Sequence, residues 1–153
     1  MSKPYRIRWE QHASPAVNAR RELPKLVTGY FADVRKLLAE DPPPDKLHAI
    51  RLETKRLRYT LELFRPRYGP GLDTRLAALR GLQQLLGEVN DNIATAGLID
   101  AGMGPSPQRA KIARFLAERT ADRARQFRAV WAEVFDAPGQ ELWWTRYLSR
   151  NAR

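Results

Sequence analysis

Cations at helical spacing are the residues of this chain best placed to do chemistry. Across residues 47–65 stand His48, Arg51, Lys55, Arg58 and Arg65, interrupted by Glu62 alone. Intervals of three, four and seven put such positions on one helix face. Leu47, Ile50, Leu57, Leu61 and Phe64 form an apolar stripe on one side of the row. Leu52, Tyr59 and Leu63 form a shorter stripe on the other, which leaves Ala49, Glu53, Arg56, Thr60 and Arg67 for the outward face. A cationic row between two apolar stripes points into a groove, where unpaired cations are costly. The chemistry this predicts is anion binding. Arginines fork onto oxyanions, Lys55 acts as a point charge, and His48 donates when protonated.

The alternative for such a row is a set of surface salt bridges with Glu53, Glu62 and Asp91 as partners. Residues 45–67 hold seven Lys or Arg against three Asp or Glu, so pairing within the segment cannot neutralise it. Other cations are candidates to join the row. Arg119 and Arg123 stand one turn apart on a later basic helix, and Arg20 and Arg21 stand on an earlier one. Gln83, Asn90 and Asp91 fit a supporting role, the amides holding arginines extended and Asp91 orienting Lys55 or Arg58. Gly87, mid-helix among them, costs about 1 kcal/mol relative to alanine and predicts a close helix approach there. Plain interhelix hydrogen bonding explains the same amides equally well.

The whole chain shares the bias. Its 153 residues carry a net charge of +10, which favours polyanionic partners. With no cysteine, disulfides, thiolate metal sites and cysteine nucleophiles are excluded. Two histidines, His12 and His48, argue against a zinc site. No P-loop, HExxH, ExxH pair or GxSxG elbow occurs, so no metal, cofactor or catalytic set is expected. MSKPYRIRWE lacks the apolar run of a signal peptide, and no segment of about 18 apolar residues spans a membrane. The expectation is a cytoplasmic, non-catalytic protein. Tyr59 and the tail tryptophans could stack on bases, but no aromatic alternates with the row as a single-strand binder would want. They read as core.

The elements that must position these residues are helices. Residues 1–13 read as an arm and 14–153 as one domain. A first helix is predicted from Pro15 to Glu40, capped by Ser14 and kinked or divided at Pro24. The second runs from about Asp45 to the Gly69-Pro70-Gly71 breaker, and the third from Asp73 to Ala101 with a stripe through Leu72, Leu76, Leu79, Leu86 and Ile93. The fourth spans Pro107 to Phe135 with Ile112, Phe115, Leu116, Phe127, Val130, Trp131 and Val134 inward. Glu141 to Ser149 reads as a last helical turn or two. Long amphipathic helices joined by short loops make an all-α, antiparallel four-helix bundle.

His48-x-x-Arg51-x-x-x-Lys55-Arg56-x-Arg58-Tyr59-x-x-Glu62 resembles the signature of CHAD domains, the conserved histidine α-helical domains. Leu79-Arg80-x-Leu82-Gln83-x-x-Leu86-Gly87-x-x-Asn90-Asp91 is similar to the family's second motif, and the likeness extends more weakly through Asn18 to Pro24 and Tyr30-Phe31. The resemblance implies a helical domain of two similar four-helix bundles around a basic cavity that binds inorganic polyphosphate, in some members at polyphosphate granules. It implies His48, Arg51, Lys55, Arg56, Arg58 and Tyr59 as the anion site. Many members lie beside a CYTH triphosphatase domain, but its ExExK hallmark is missing, since no Glu-x-Glu occurs here. A full CHAD domain has two histidine motifs and this chain has one. It therefore resembles a half-domain, and a twofold homodimer would rebuild the pair of bundles. The expected function is polyphosphate binding through the groove. The alternatives are a basic nucleic-acid-binding module, an accessory or regulatory subunit of phosphate or polyphosphate metabolism, or, least favoured, a phosphohydrolase.

Overall fold

The structure, a computed structural model, describes residues 5–153; the first four residues of the expected arm lie outside them. Helix α1, Pro15–Ala39, starts where Ser14 Oγ accepts the Val17 N–H at 3.2 Å. It runs unbroken through Pro24, where the sequence predicts a kink or a division. Leu23, Leu26, Val27, Tyr30 and Phe31 are buried around that proline. Their burial, at about 1.5–3 kcal/mol for each large side chain, outweighs the roughly 3 kcal/mol that a mid-helix proline costs.

A 3₁₀ turn, Pro44–Leu47, leads into α2, His48–Tyr68, and Gly69 closes α2 at a φ of +73° that suits glycine. Helix α3 spans Asp73–Gly102 and α4 Pro107–Val130, the latter capped by Ser106 Oγ on the Arg109 N–H at 3.0 Å. Residues Trp131–Phe135 widen into a π turn. Helix α1 packs on α2, α2 on α3 and α3 on α4. Among the described residues there is no strand, and the fold is the all-α antiparallel bundle. No described helix is long and apolar enough to cross a membrane.

The tail is more than a turn or two. Gln140–Arg150 forms α5, which packs on α1 and buries Trp144 and Leu148. Tyr68 donates to the Leu148 carbonyl at 2.7 Å and Tyr147 donates to the Tyr68 carbonyl at 2.9 Å. A side chain on Gly71 would run into the Tyr147 ring, so the glycine breaker also admits α5. Trp131, Phe135 and Trp144 join Tyr30 and Phe31 in one aromatic core.

Sequence expectations fail at the far end of the bundle, where Ile93 is 36% exposed and Ile112 and Phe115, expected inward, are 37% and 59% exposed. Val134, also expected inward, is 51% exposed where the π turn rotates it outward. Helices α3 and α4 continue as a hairpin past the last core layer, formed there by Val89 and Leu116. Apolar residues of the right period therefore meet no third helix.

The arm is clamped to α1. The buried Asn18 side chain accepts from the Glu10 N–H at 2.8 Å and donates to the Glu10 carbonyl at 2.9 Å. Tyr5 and the Arg8 N–H both donate to Glu22, which also meets Arg21. Burial opposes the charge of Glu22, but these donors outweigh it and hold its pKa at about 2.

Candidate functional site

Helix α2 rotates its faces differently from the sequence expectation. Ile50, Leu57, Leu61 and Phe64 enter the core together with Thr54, whose hydroxyl meets Tyr30 at 2.7 Å. On the face expected outward, Arg56 is exposed, but Glu53 is half-buried and lines a small cavity with Tyr5 and with Leu26, Tyr30 and Asp33 of α1. The second apolar stripe is the outermost one, with Leu52 50%, Tyr59 49% and Leu63 75% exposed. Two apolar stripes on one helix look alike in a sequence, and the helix buries the larger. The cationic row thus has a packed wall on one side and an exposed apolar ridge on the other. Tyr59, expected in the core, stands on that ridge.

Between the row and α3 lies an open groove of about 320 Å³, lined by Arg51, Arg58, Arg80, Gln83, Gln84 and Gly87. Arg58 is the best held of its cations. Its Nε donates to Gln83 Oε1 at 2.6 Å and its Nη1 to Glu62 Oε1 at 2.9 Å. Arg80 reaches the same Glu62 oxygen, Nη2 at 3.1 Å and Nε at 3.2 Å. Arg51 is half-buried and, like the exposed Lys55, makes no ion pair among the described residues. Tyr59 lies under both neighbouring cations, with Arg58 Cζ 4.4 Å and Lys55 Nζ 5.8 Å from its ring centre. Three arginines, Arg51, Arg58 and Arg80, therefore line the groove, with Lys55 beside it over Tyr59, and an oxyanion that offers several acceptor oxygens fits such a donor set.

Of Glu53, Glu62 and Asp91, the acids nearest the row in sequence, Glu62 alone engages it among the described residues, while Asp73 takes Arg65 at its end. Asp91 is exposed and makes no ion pair among the described residues. Glu53 faces the opposite way. Its burial, then its neighbour Asp33, push its carboxyl up to about 8 against the opposing pull of Arg56. Asn90 Oδ1 lies 3.3 Å from His48 Nδ1, at a second hollow of about 200 Å³ walled by Leu47, Leu86, Val89 and Ile93. No helix crowds Gly87, since an added Cβ would meet nothing within 4 Å. The residue keeps the groove floor open instead.

The remaining candidates stand apart. Arg56 donates to the Tyr5 carbonyl, Arg20 to the Ala152 carbonyl, and Arg21 pairs with Glu10 and Glu22. Arg65 forks onto Asp73, both bonds at 2.9 Å. Arg123 Nε sits 2.6 Å from Glu88 as an ion pair. Arg119 is exposed, makes no ion pair among the described residues and does not line the groove. Arg80 is the groove residue that the sequence reading of cations passed over. Its spacing of three to Gln83 and seven to Gly87 was the available signal.

The model of one family, the CHAD domain, matches residues 4–100. The chain belongs to the CHAD domain family. The match covers most of the arm, α1, α2 and nearly all of α3, hence both motifs and every residue lining the groove. CHAD is generally a binding domain, and the family is known for binding polyphosphate. No curated protein and no solved structure matches the chain.

Proposed function

We propose that this CHAD protein binds inorganic polyphosphate in the α2–α3 groove without turning it over. The observation that carries the reading is the convergence of Arg51, Arg58 and Arg80 on one groove, where among the described residues Glu62 is the acid that Arg58 and Arg80 share and Arg51 has none. Guanidinium forks take neighbouring phosphates of the chain, and each charge-assisted bond contributes roughly 1.5–3 kcal/mol. Lys55 and His48 extend the track along α2. Affinity falls with added salt as counterions leave the chain, by analogy with nucleic acids. Calorimetric titration with polyphosphate at low ionic strength tests the reading: saturable binding supports it, and absence of any complex removes it. Phosphate released during incubation with a divalent metal would contradict binding without turnover.

One observation favours a second reading. Tyr59 is exposed beside Arg58 and Lys55, and an exposed ring among cations suits a nucleic-acid base. Competition of labelled polyphosphate against RNA and DNA at matched phosphate concentration separates the two. Polyphosphate as the stronger competitor supports the first reading.

We further infer a twofold homodimer, because one histidine motif supplies half the basic wall of a two-motif CHAD domain. The exposed ridge of Leu52, Tyr59 and Leu63 beside the row supports it, as surface that a second copy would cover. Light scattering that shows only monomer, with and without polyphosphate, would count against it. A cytoplasmic protein, beside polyphosphate granules where they form, is the setting this reading implies; imaging of a tagged copy against a polyphosphate stain checks it.

A further inference from the structure

Glu62 is in the wrong place for an acid that merely decorates a basic surface. Its Oε1 receives Nη1 of Arg58 from its own helix and both Nη2 and Nε of Arg80 from α3. Two guanidinium groups on two helices thus converge on one oxygen, the arrangement arginines adopt around a phosphate oxygen. The second oxygen, Oε2, makes no hydrogen bond among the described residues. Gln83 holds Arg58 Nε at 2.6 Å independently of Glu62, so the guanidinium keeps its place if the carboxylate leaves. The Glu62 side chain is 28% exposed and can swing into solvent by side-chain rotation alone.

The geometry points to Glu62 as an internal counter-anion that occupies the site of a ligand phosphate oxygen between Arg58 and Arg80 and must be displaced for the chain to bind. This rests on the reading of the groove as a polyphosphate site and adds how that site is regulated. In the empty protein the carboxylate relieves repulsion between two facing arginines. On binding, a phosphate with at least two free oxygens takes over both guanidinium groups, and Glu62 turns outward. The exchange lowers affinity and keeps the ligand releasable. A carboxylate with a purely orienting role predicts the opposite outcome on substitution, since its loss would loosen the arginines.

The test is Glu62→Gln, which keeps an acceptor for one arginine and removes the charge. Polyphosphate affinity is expected to rise about five- to tenfold, the size of one like charge removed at about 4 Å in an open groove screened by bulk water. The plot of log affinity against log salt should steepen by about one released counterion. Unchanged or weaker affinity, or an unchanged salt slope, overturns the proposal. A second arm does not depend on polyphosphate: sulfate titration followed by the side-chain Nε–H NMR signals of Arg58 and Arg80, in wild type and Glu62→Gln. Sulfate that moves those signals at lower concentration in the variant upholds the counter-anion even if the wild type binds no polyphosphate, in which case only the ligand assignment falls. Equal sulfate midpoints in the two proteins overturn the counter-anion itself.

Discussion

The two flanks of α2 are both cationic and are solved in opposite ways. On the arm flank, Arg21 meets Glu10 and Glu22, and Arg56 meets the Tyr5 carbonyl. On the groove flank, Arg51 and Lys55 meet no acid among the described residues, while Arg58 and Arg80 divide one carboxylate between them. Similar residues around one helix thus do two jobs. Matched arginines hold the arm and the chain end in place, and under-matched ones leave a field for a ligand. Charge density alone does not distinguish the flanks; the supply of acceptors does.

The largest effect expected from that contrast is on binding. Arg51→Ala combined with Arg58→Ala should weaken polyphosphate affinity by roughly 100-fold or more, because each lost charge-assisted bond contributes about 1.5–3 kcal/mol. Removing Arg109, which pairs with Asp100, and the exposed Lys111 of α4 together should change it less than about threefold, as charges away from the groove do when they act only through the general field. Equal losses in the two double variants would erase the distinction between groove and surface. On the arm flank the sign of the trade reverses. Arg21→Ala should lower the melting temperature by thermal unfolding while polyphosphate affinity stays within about twofold. An affinity loss to match Arg51→Ala would break the comparison.

A smaller effect sharpens it through pH. Glu53, beneath the arm flank, has its pKa pushed up to about 8 by burial and by Asp33, from 4.5 in the unfolded chain. Between those values the folded protein holds a proton that the unfolded chain has lost. Stability should therefore fall as pH rises through that window and level off above about 8. Glu53→Gln keeps the neutral form and should flatten that slope in denaturant titrations across pH, with groove binding unaltered. A slope that survives the substitution would assign it to another group.

The helices themselves were legible from residue types, because Ser14 and the Gly-Pro breakers mark ends that local chemistry sets. The orientation of α2 was not. Ile50, Leu57 and Leu61 recur at the same helical period as Leu52, Tyr59 and Leu63, and only the packing partners decide which stripe is buried. Ile112 and Phe115 misled for the same reason: amphipathic spacing says that a face is apolar, not that a helix lies opposite. In the groove, the spacing of Arg51 and Arg58 and the amide of Gln83 were readable along the chain. The sharing of Glu62 between α2 and α3 was not, since it depends on the register of two helices. Arg20 and Arg21 were ambiguous in sequence because their acceptors, the Ala152 carbonyl and Glu10, lie far along the chain or in the arm.

The most direct measurement is a crystal structure with tripolyphosphate bound. The account predicts phosphate oxygens within hydrogen-bond distance of Arg51, Arg58 and Arg80, with Glu62 turned away. Tripolyphosphate ordered on the cations of α4, with the groove empty and Glu62 still between its two arginines, would contradict it.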